Sequence, residues 1–98
     1  MEKIKWLDKA NIDLIEIYDY ISKDSLYYAR KTVTEILNKV DYLYMFPYMG
    51  RRAQEYLDEE YRELIYKSYK IIYEIDSSTI YIHRIWHSAR LINNLFSK

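Results

Sequence analysis

The sequence contains no cysteine, and two of its 98 residues are histidines, His83 and His87. The absence of cysteine excludes disulfide bonds and thiolate metal sites. Two histidines four positions apart in a regular strand lie on one face, about 13 Å from each other. Because that separation is too long for one metal ion, we expect no metal site and no cofactor.

The chain also lacks long apolar runs and an excess of charge of either sign. No segment approaches the roughly 20 apolar residues of a membrane-spanning helix, and the opening MEKIKWLDKA does not read as a signal peptide. Fifteen basic and fifteen acidic residues give a net charge of zero, which argues against strong non-specific binding to nucleic acid. We therefore expect a cytoplasmic protein with no membrane contact.

Proline and glycine occur once each, at Pro47 and Gly50, and they divide the chain into two halves of different periodicity. The first half predicts a strand over residues 3–7, then two helices joined by a short turn. Asp8 is the expected N-cap of the first helix, and the second helix starts at Asp24 or Ser25. The apolar positions that follow helical spacing are Ile12, Leu14, Ile15, Tyr18 and Ile21, and then Ala29, Val33, Ile36, Leu37, Val40, Leu43 and Tyr44.

In the second half the apolar period falls to two, which is typical of strands. Strands are predicted over residues 61–66, 69–75 and 79–87, with tight turns at Lys67-Ser68 and Asp76-Ser78. Consecutive strands with tight turns form an antiparallel meander. Residues 88–96 are expected to form a short helical tail. The predicted fold is a single α+β domain over residues 1–98, with a helical hairpin packed on the sheet.

Several short motifs follow one another along nearly the whole chain. They are Trp6 and Ala10, Ile17 with Tyr20-Ile21, the loop Phe46 to Arg51, Tyr61-Arg62-Glu63-Leu64, Tyr69 to Tyr73, and Ile85-Trp86-His87-Ser88-Ala89-Arg90. No single motif is specific, but in this order they resemble the RelE/ParE toxin superfamily of bacterial type II toxin–antitoxin modules.

The resemblance implies a growth-inhibiting toxin, typical of plasmid-stabilising modules, with a cognate antitoxin as its partner in a toxin–antitoxin hetero-oligomer. RelE-like members cleave messenger RNA on the ribosome, whereas ParE-like members inhibit DNA gyrase and lack the catalytic residues. A nuclease branch places a terminal tyrosine after its catalytic histidine. Here Ser88-Ala89-Arg90 and a longer tail follow His87, which favours the ParE-like branch. The residues leave open whether the protein is an enzyme; if it is, we expect a metal-independent endoribonuclease.

RNA cleavage by its own 2′-hydroxyl needs a base, an acid and cations that stabilise the phosphate. The residues that could supply these roles are His87, Arg62, Arg84 and Glu55. Each also has a structural alternative: a histidine bonded to nearby backbone, a surface ion pair, a solvated strand arginine and a solvated acidic loop. If Arg62 and Arg84 meet across the sheet, they form a basic spot large enough for a phosphate.

Other side chains are candidates for contact with the target or with a phosphate: Arg51, Arg52, Arg90 and Trp86. Trp86 could stack on a base, whereas Trp6 is expected in the core. Five tyrosines are candidate antitoxin contacts: Tyr27, Tyr28, Tyr42, Tyr48 and Tyr56. The favoured hypothesis is a toxin that binds gyrase. The alternatives are a ribosome-dependent endoribonuclease and a family member that binds its antitoxin without poisoning any target.

Overall fold

One mixed sheet carries the fold, and two helices pack on one of its faces. The computed structural model describes residues 3–53 and 60–87. The helices are α1 (Asp8–Ser22) and α2 (Leu26–Asp41), and a 3-10 turn over Tyr42–Tyr44 extends α2. The strands are β1 (Lys3–Trp6), β2 (Arg51–Arg52), β3 (Tyr61–Tyr66), β4 (Tyr69–Asp76) and β5 (Thr79–His87).

The sheet within these residues has five strands in the order β1-β5-β4-β3-β2. The meander β3-β4-β5 is antiparallel, as predicted, and β3 and β5 have the predicted bounds. The sequence pattern did not predict β2, whose two residues pair antiparallel with β3. It also did not predict that β1 pairs with β5, in parallel register. The α+β fold is therefore confirmed, with one further strand.

The helix boundaries follow their capping residues only in part. Ser25 caps α2, because its Oγ accepts a hydrogen bond from the Tyr28 N–H at 3.1 Å. The prediction that Asp8 is the N-cap of α1 is wrong. Leu7 holds that position without a side-chain bond, and Asp8 lies in the first turn, where its charge favours the helix dipole.

A core between the helices and the sheet holds the two layers together. Its fully buried members are Ala10, Ile17, Ile36, Val40, Leu43, Leu64, Ile71, Tyr73, Ile80, Ile82 and Ile85. The periodicity overstated the buried face of α1: Ile12 and Ile15 are exposed. A helix buries one stripe against the layer beneath it, and apolar residues outside that stripe remain in solvent. None of the helices in the described residues is both long enough and apolar enough to cross a membrane.

A β-bulge in β5 decides which way its polar residues point. Ile72 pairs with Arg84, and the next residue, Tyr73, pairs with Ile82. His83 is therefore an extra residue in β5 whose backbone has no register partner in β4. The bulge breaks the alternation between His83 and His87. Consequently, the expectation that the two histidines share a face is wrong.

Candidate functional site

Tyr73 fastens the loop between α2 and β2 to the helix-side face of the sheet. Its hydroxyl donates to the Pro47 carbonyl at 2.8 Å and accepts from the Gly50 N–H at 2.9 Å. A Cβ on residue 50 would lie 2.6 Å from the Tyr73 ring, which explains why glycine occupies the position. Burial raises the pKa of Tyr73, and this outweighs the opposing effects of its bond to Gly50 and the charge of Arg62.

Arg62 strengthens the same loop from β3. Its Nη1 donates to the Gly50 carbonyl at 2.7 Å, and its guanidinium carbon lies 4.9 Å from the centre of the Tyr48 ring. The arginine is thus held by a backbone carbonyl and an aromatic ring. The sequence offered an ion pair with a helix carboxylate as the structural alternative, and the structure shows a different contact. Within the described residues, these contacts bind the loop to β3.

Arg84 is bound to helix α1 through Asp13. Its Nε and Nη2 donate to the two carboxylate oxygens of Asp13 at 2.8 and 3.1 Å, and the Ile85 N–H donates to the same carboxylate at 2.9 Å. Strand β1 ends at Trp6, so the edge of β5 beyond Ile82 has no neighbouring strand among residues 3–53 and 60–87. Asp13 covers that edge and neutralises Arg84. A bidentate pair between a guanidinium and a carboxylate is directional, and its hydrogen bonds are stronger than those between neutral groups.

The two histidines have separate surroundings. His87 packs edge-to-face on Tyr69, its partner in β4, with 4.9 Å between ring centres. His83 Nε2 lies 2.6 Å from Glu74 Oε1, and its ring packs on Tyr61 at 4.9 Å. Tyr69 packs against the core, whereas Glu74 alternates with core residues on β4. The two histidines therefore lie on opposite faces of the sheet.

Glu63 is a buried carboxylate that the sequence reasoning missed. One oxygen accepts from Arg51 Nε at 2.6 Å, and the other lies 4.0 Å from Lys70 Nζ. That second oxygen is buried and accepts no hydrogen bond from the residues that the structure describes. The alternation of β3 could have predicted this burial. Glu63 precedes Leu64, whose side chain faces the helices, so the Glu63 side chain points to the other face of the sheet. Glu63 therefore positions Arg51, whose side chain remains 59% exposed.

The predicted site residues fall into two groups separated by β4. Arg51, Arg52 and Arg62 gather around Gly50, because Arg52 pairs with Arg62 and Arg51 with Glu63. The members of the second group lie on β5: Arg84, Trp86 and His87. Arg62 pairs with Tyr73 on the helix-side face, whereas Arg84 pairs with Ile72 in a row that faces the other side of the sheet, so the two arginines do not form a shared phosphate spot. Arg84 instead lies 5.4 Å from the centre of the Trp86 ring. Glu55, Tyr56 and Arg90 lie outside the described residues, as does the predicted tail.

One known protein family matches nearly the whole chain. Residues 4–92 match the family described as ParE toxin of type II toxin-antitoxin system, parDE. The chain belongs to the ParE toxin family. It is therefore a toxin component of a type II toxin–antitoxin system, and the resemblance to the RelE/ParE superfamily is confirmed, with the ParE-like branch.

Two solved structures have folds similar to that of this chain. A chromosomal ParDE toxin–antitoxin system from P. aeruginosa matches with a TM-score of 0.75 and 27% identity, covering 89% of this chain and 96% of that one. A RelB-RelE antitoxin-toxin complex from Methanococcus jannaschii matches with a TM-score of 0.59 and 18% identity, covering 94% and 98%. The second likeness shows the fold alone. The chain matches none of the curated proteins with which it was compared.

Proposed function

We propose that this ParE-family toxin arrests growth by binding DNA gyrase, without cleaving RNA. The bidentate pair between Arg84 and Asp13 carries the proposal. An RNA-cleaving site needs cations that reach the developing charge on the phosphate. Here Arg84 is neutralised by a helix carboxylate and Arg62 is bound to a backbone carbonyl. Both arginines thus serve the fold, which supports binding over catalysis.

The overall charge supports the same conclusion. A protein that reads ribosome-bound RNA gains affinity from phosphate contacts, and that affinity grows with the number of cations it brings. This chain has a net charge of zero. A protein target needs no such excess, because shape and a few directional contacts are enough.

A supercoiling assay tests the target. Purified toxin is added to DNA gyrase, relaxed plasmid and ATP, and we expect supercoiling to stop as the toxin concentration rises. Arg52→Ala removes an exposed arginine beside the loop and should weaken inhibition by about tenfold, as truncation of a central contact does. Lys9→Ala removes an exposed cation on α1 and should leave inhibition unchanged. Full supercoiling at a large excess of wild-type toxin would contradict the proposal.

Primer extension on translated messages tests the nuclease alternative. After induction of the toxin we expect no new cleavage sites. New sites that disappear in His87→Ala, with the circular dichroism spectrum unchanged, would identify an endoribonuclease instead. Normal growth under strong induction without an antitoxin would show that the chain poisons neither target.

We further propose that a cognate antitoxin neutralises the toxin by covering its exposed tyrosines. Four of the five candidate contacts, Tyr27, Tyr28, Tyr42 and Tyr48, have exposed side chains, and Tyr56 lies outside the described residues. Exposed aromatic side chains are enriched where proteins bind each other. Co-expression with a candidate antitoxin, taken from the genes that flank the toxin gene, should restore growth. Unrestored growth, with the antitoxin present as soluble protein, would refute this part of the proposal.

A further inference from the structure

A buried carboxylate on the sheet face opposite the helices has an acceptor that the described residues do not use. The exposed fraction of the Glu63 side chain is 0%, and its Oε1 accepts no hydrogen bond from residues 3–53 and 60–87. An ionised carboxylate can only accept hydrogen bonds, and leaving a buried acceptor without a donor is costly. A ligand that donates a hydrogen bond to Oε1 would remove that cost.

Two cations from the neighbouring strands lie beside Glu63 on the same face. Arg51 is its register partner in β2, and Arg51 Nε donates to Glu63 Oε2 at 2.6 Å. Lys70 lies in β4 two positions before Ile72, the β4 register partner of Glu63, so it shares this face. Lys70 Nζ is 4.0 Å from Glu63 Oε1, which is longer than a hydrogen bond. A ligand oxygen about 2.8 Å from both atoms would bridge them.

The chemistry of these three side chains specifies the ligand. The bridging oxygen donates to Glu63 and accepts from Lys70, which a hydroxyl group does. Arg51 is bound through Nε and its side chain remains 59% exposed, so its terminal N–H groups can bind the oxygens of an anion. Two cations and one carboxylate leave one net positive charge. A group with a hydroxyl and anionic oxygens on one atom matches all three, and a protonated phosphate is such a group.

We propose that Arg51, Glu63 and Lys70 form a binding site for a protonated phosphate group. The P–OH group donates to Glu63 Oε1 and accepts from Lys70 Nζ, and the anionic oxygens accept from Arg51. The carboxylate repels an oxyanion that has no proton to donate. The site therefore rejects sulfate and the phosphodiesters of a nucleic-acid backbone, and it accepts inorganic phosphate or a protonated phosphomonoester. The inference holds whether or not gyrase is the target.

Titration of the full chain with two anions tests the site. Amide proton–nitrogen NMR spectra are recorded with sodium phosphate and with sodium sulfate, at equal ionic strength and about pH 7. At this pH phosphate keeps a P–OH group and sulfate has none. We expect phosphate to shift the amides of residues 51, 63 and 70 with a dissociation constant of about 1 mM. Sulfate should bind at least about tenfold more weakly, because it leaves Oε1 without a donor.

Three variants separate the site from general attraction of anions. Glu63→Gln keeps the shape of the side chain and adds an N–H donor, so the preference for phosphate over sulfate should fall below about twofold. Arg51→Ala should weaken phosphate binding by about tenfold. Arg52→Ala is the matched control, because Arg52 follows Arg51 in β2 and its side chain points to the other face. It should bind phosphate as the wild type does. Circular dichroism verifies the fold of each variant.

A phosphomonoester distinguishes the two sources of the ligand. Blocked phosphoserine gains its second proton only near or below its pKa of about 6. Binding of phosphoserine at about pH 5 would show that phosphorylated molecules fit, and binding of inorganic phosphate alone would restrict the site to the free ion.

Four results would overturn the inference. The first is the absence of saturable phosphate binding at residues 51, 63 and 70, and the second is equal binding of phosphate and sulfate to the wild type, which needs no variant to fold. The third is an unchanged preference for phosphate in folded Glu63→Gln. The fourth is binding of phosphoserine at about pH 8, where it has lost its second proton, as tightly as inorganic phosphate.

Discussion

Tyr73 is a buried tyrosine whose hydroxyl loses its proton less readily in the folded chain than in the unfolded chain. Burial raises its pKa, so the folded chain holds this proton at pH values where an unfolded tyrosine, with a pKa of about 10, has lost it. The stability that this proton provides is fully present below pH 10 and is lost as the pH rises towards the pKa of the folded state. We expect the free energy of unfolding to fall above pH 10 in urea titrations, and to fall less steeply in Tyr73→Phe. Tyr48→Phe, at an exposed position, should follow the wild type. A Tyr73→Phe profile parallel to the wild type above pH 10 would contradict this.

Asp13 is the residue on which the exposed edge of β5 depends. Asp13→Ala removes the carboxylate that accepts hydrogen bonds from the Arg84 guanidinium and from the Ile85 N–H. Arg84 is about one-third exposed and regains some hydration, so we expect a loss of about 2 kcal/mol in the free energy of unfolding. Glu16→Ala, an exposed carboxylate on the same helix, is the matched control and should change stability by less than about 0.5 kcal/mol. Equal denaturation midpoints for the two variants would show that the pair contributes nothing.

At the scale of the elements, α2 begins at a side-chain cap, whereas α1 has none. Ser25 satisfies the Tyr28 N–H at the start of α2, so Ser25→Ala should lower the free energy of unfolding by about 1 kcal/mol. Ser22→Ala is the control, because its hydroxyl donates to the Asp19 carbonyl on an exposed surface and water can replace it. Thermal unfolding followed by circular dichroism measures both. A Ser22→Ala loss as large as that of Ser25→Ala would argue against the cap.

The elements also show how far the sequence determines the fold. The change to an apolar period of two, together with the tight turns around the middle strand, predicted the bounds of β3 and β5 as the structure has them. Strand β2 was missed, since two residues have no period and its pairing with Glu63 and Arg62 depends on the turn at Pro47. The bulge at His83 was also invisible, because both faces of β5 carry apolar residues. The sequence predicted the strand on which each described candidate residue lies, but it did not predict the residue's bonding partner. Arg84 and Asp13, for example, are 71 positions apart, so no local pattern links them.

At the scale of the whole molecule, β1 joins the two ends of the described chain. It pairs in parallel with β5 over Lys3 to Trp6, and the Leu7 N–H extends the ladder to the Ile82 carbonyl at 3.0 Å. Ile4 and Trp6 also pack on the core, as expected for Trp6. Without β1, the edge of β5 would present unpaired backbone groups beside Ile80 and Ile82. Such an edge is a template for pairing with another chain.

Removal of residues 1–6 should therefore convert the protein into a self-associating species. We expect size-exclusion chromatography with light scattering to show large aggregates, and thermal unfolding to begin well below that of the full chain. The combined variant Lys3→Ala/Lys5→Ala is the control, because it keeps every β1 backbone bond and changes only exposed side chains. It should elute as the full chain does. A truncated chain with unchanged mass and melting temperature would mean that β5 does not need its parallel partner.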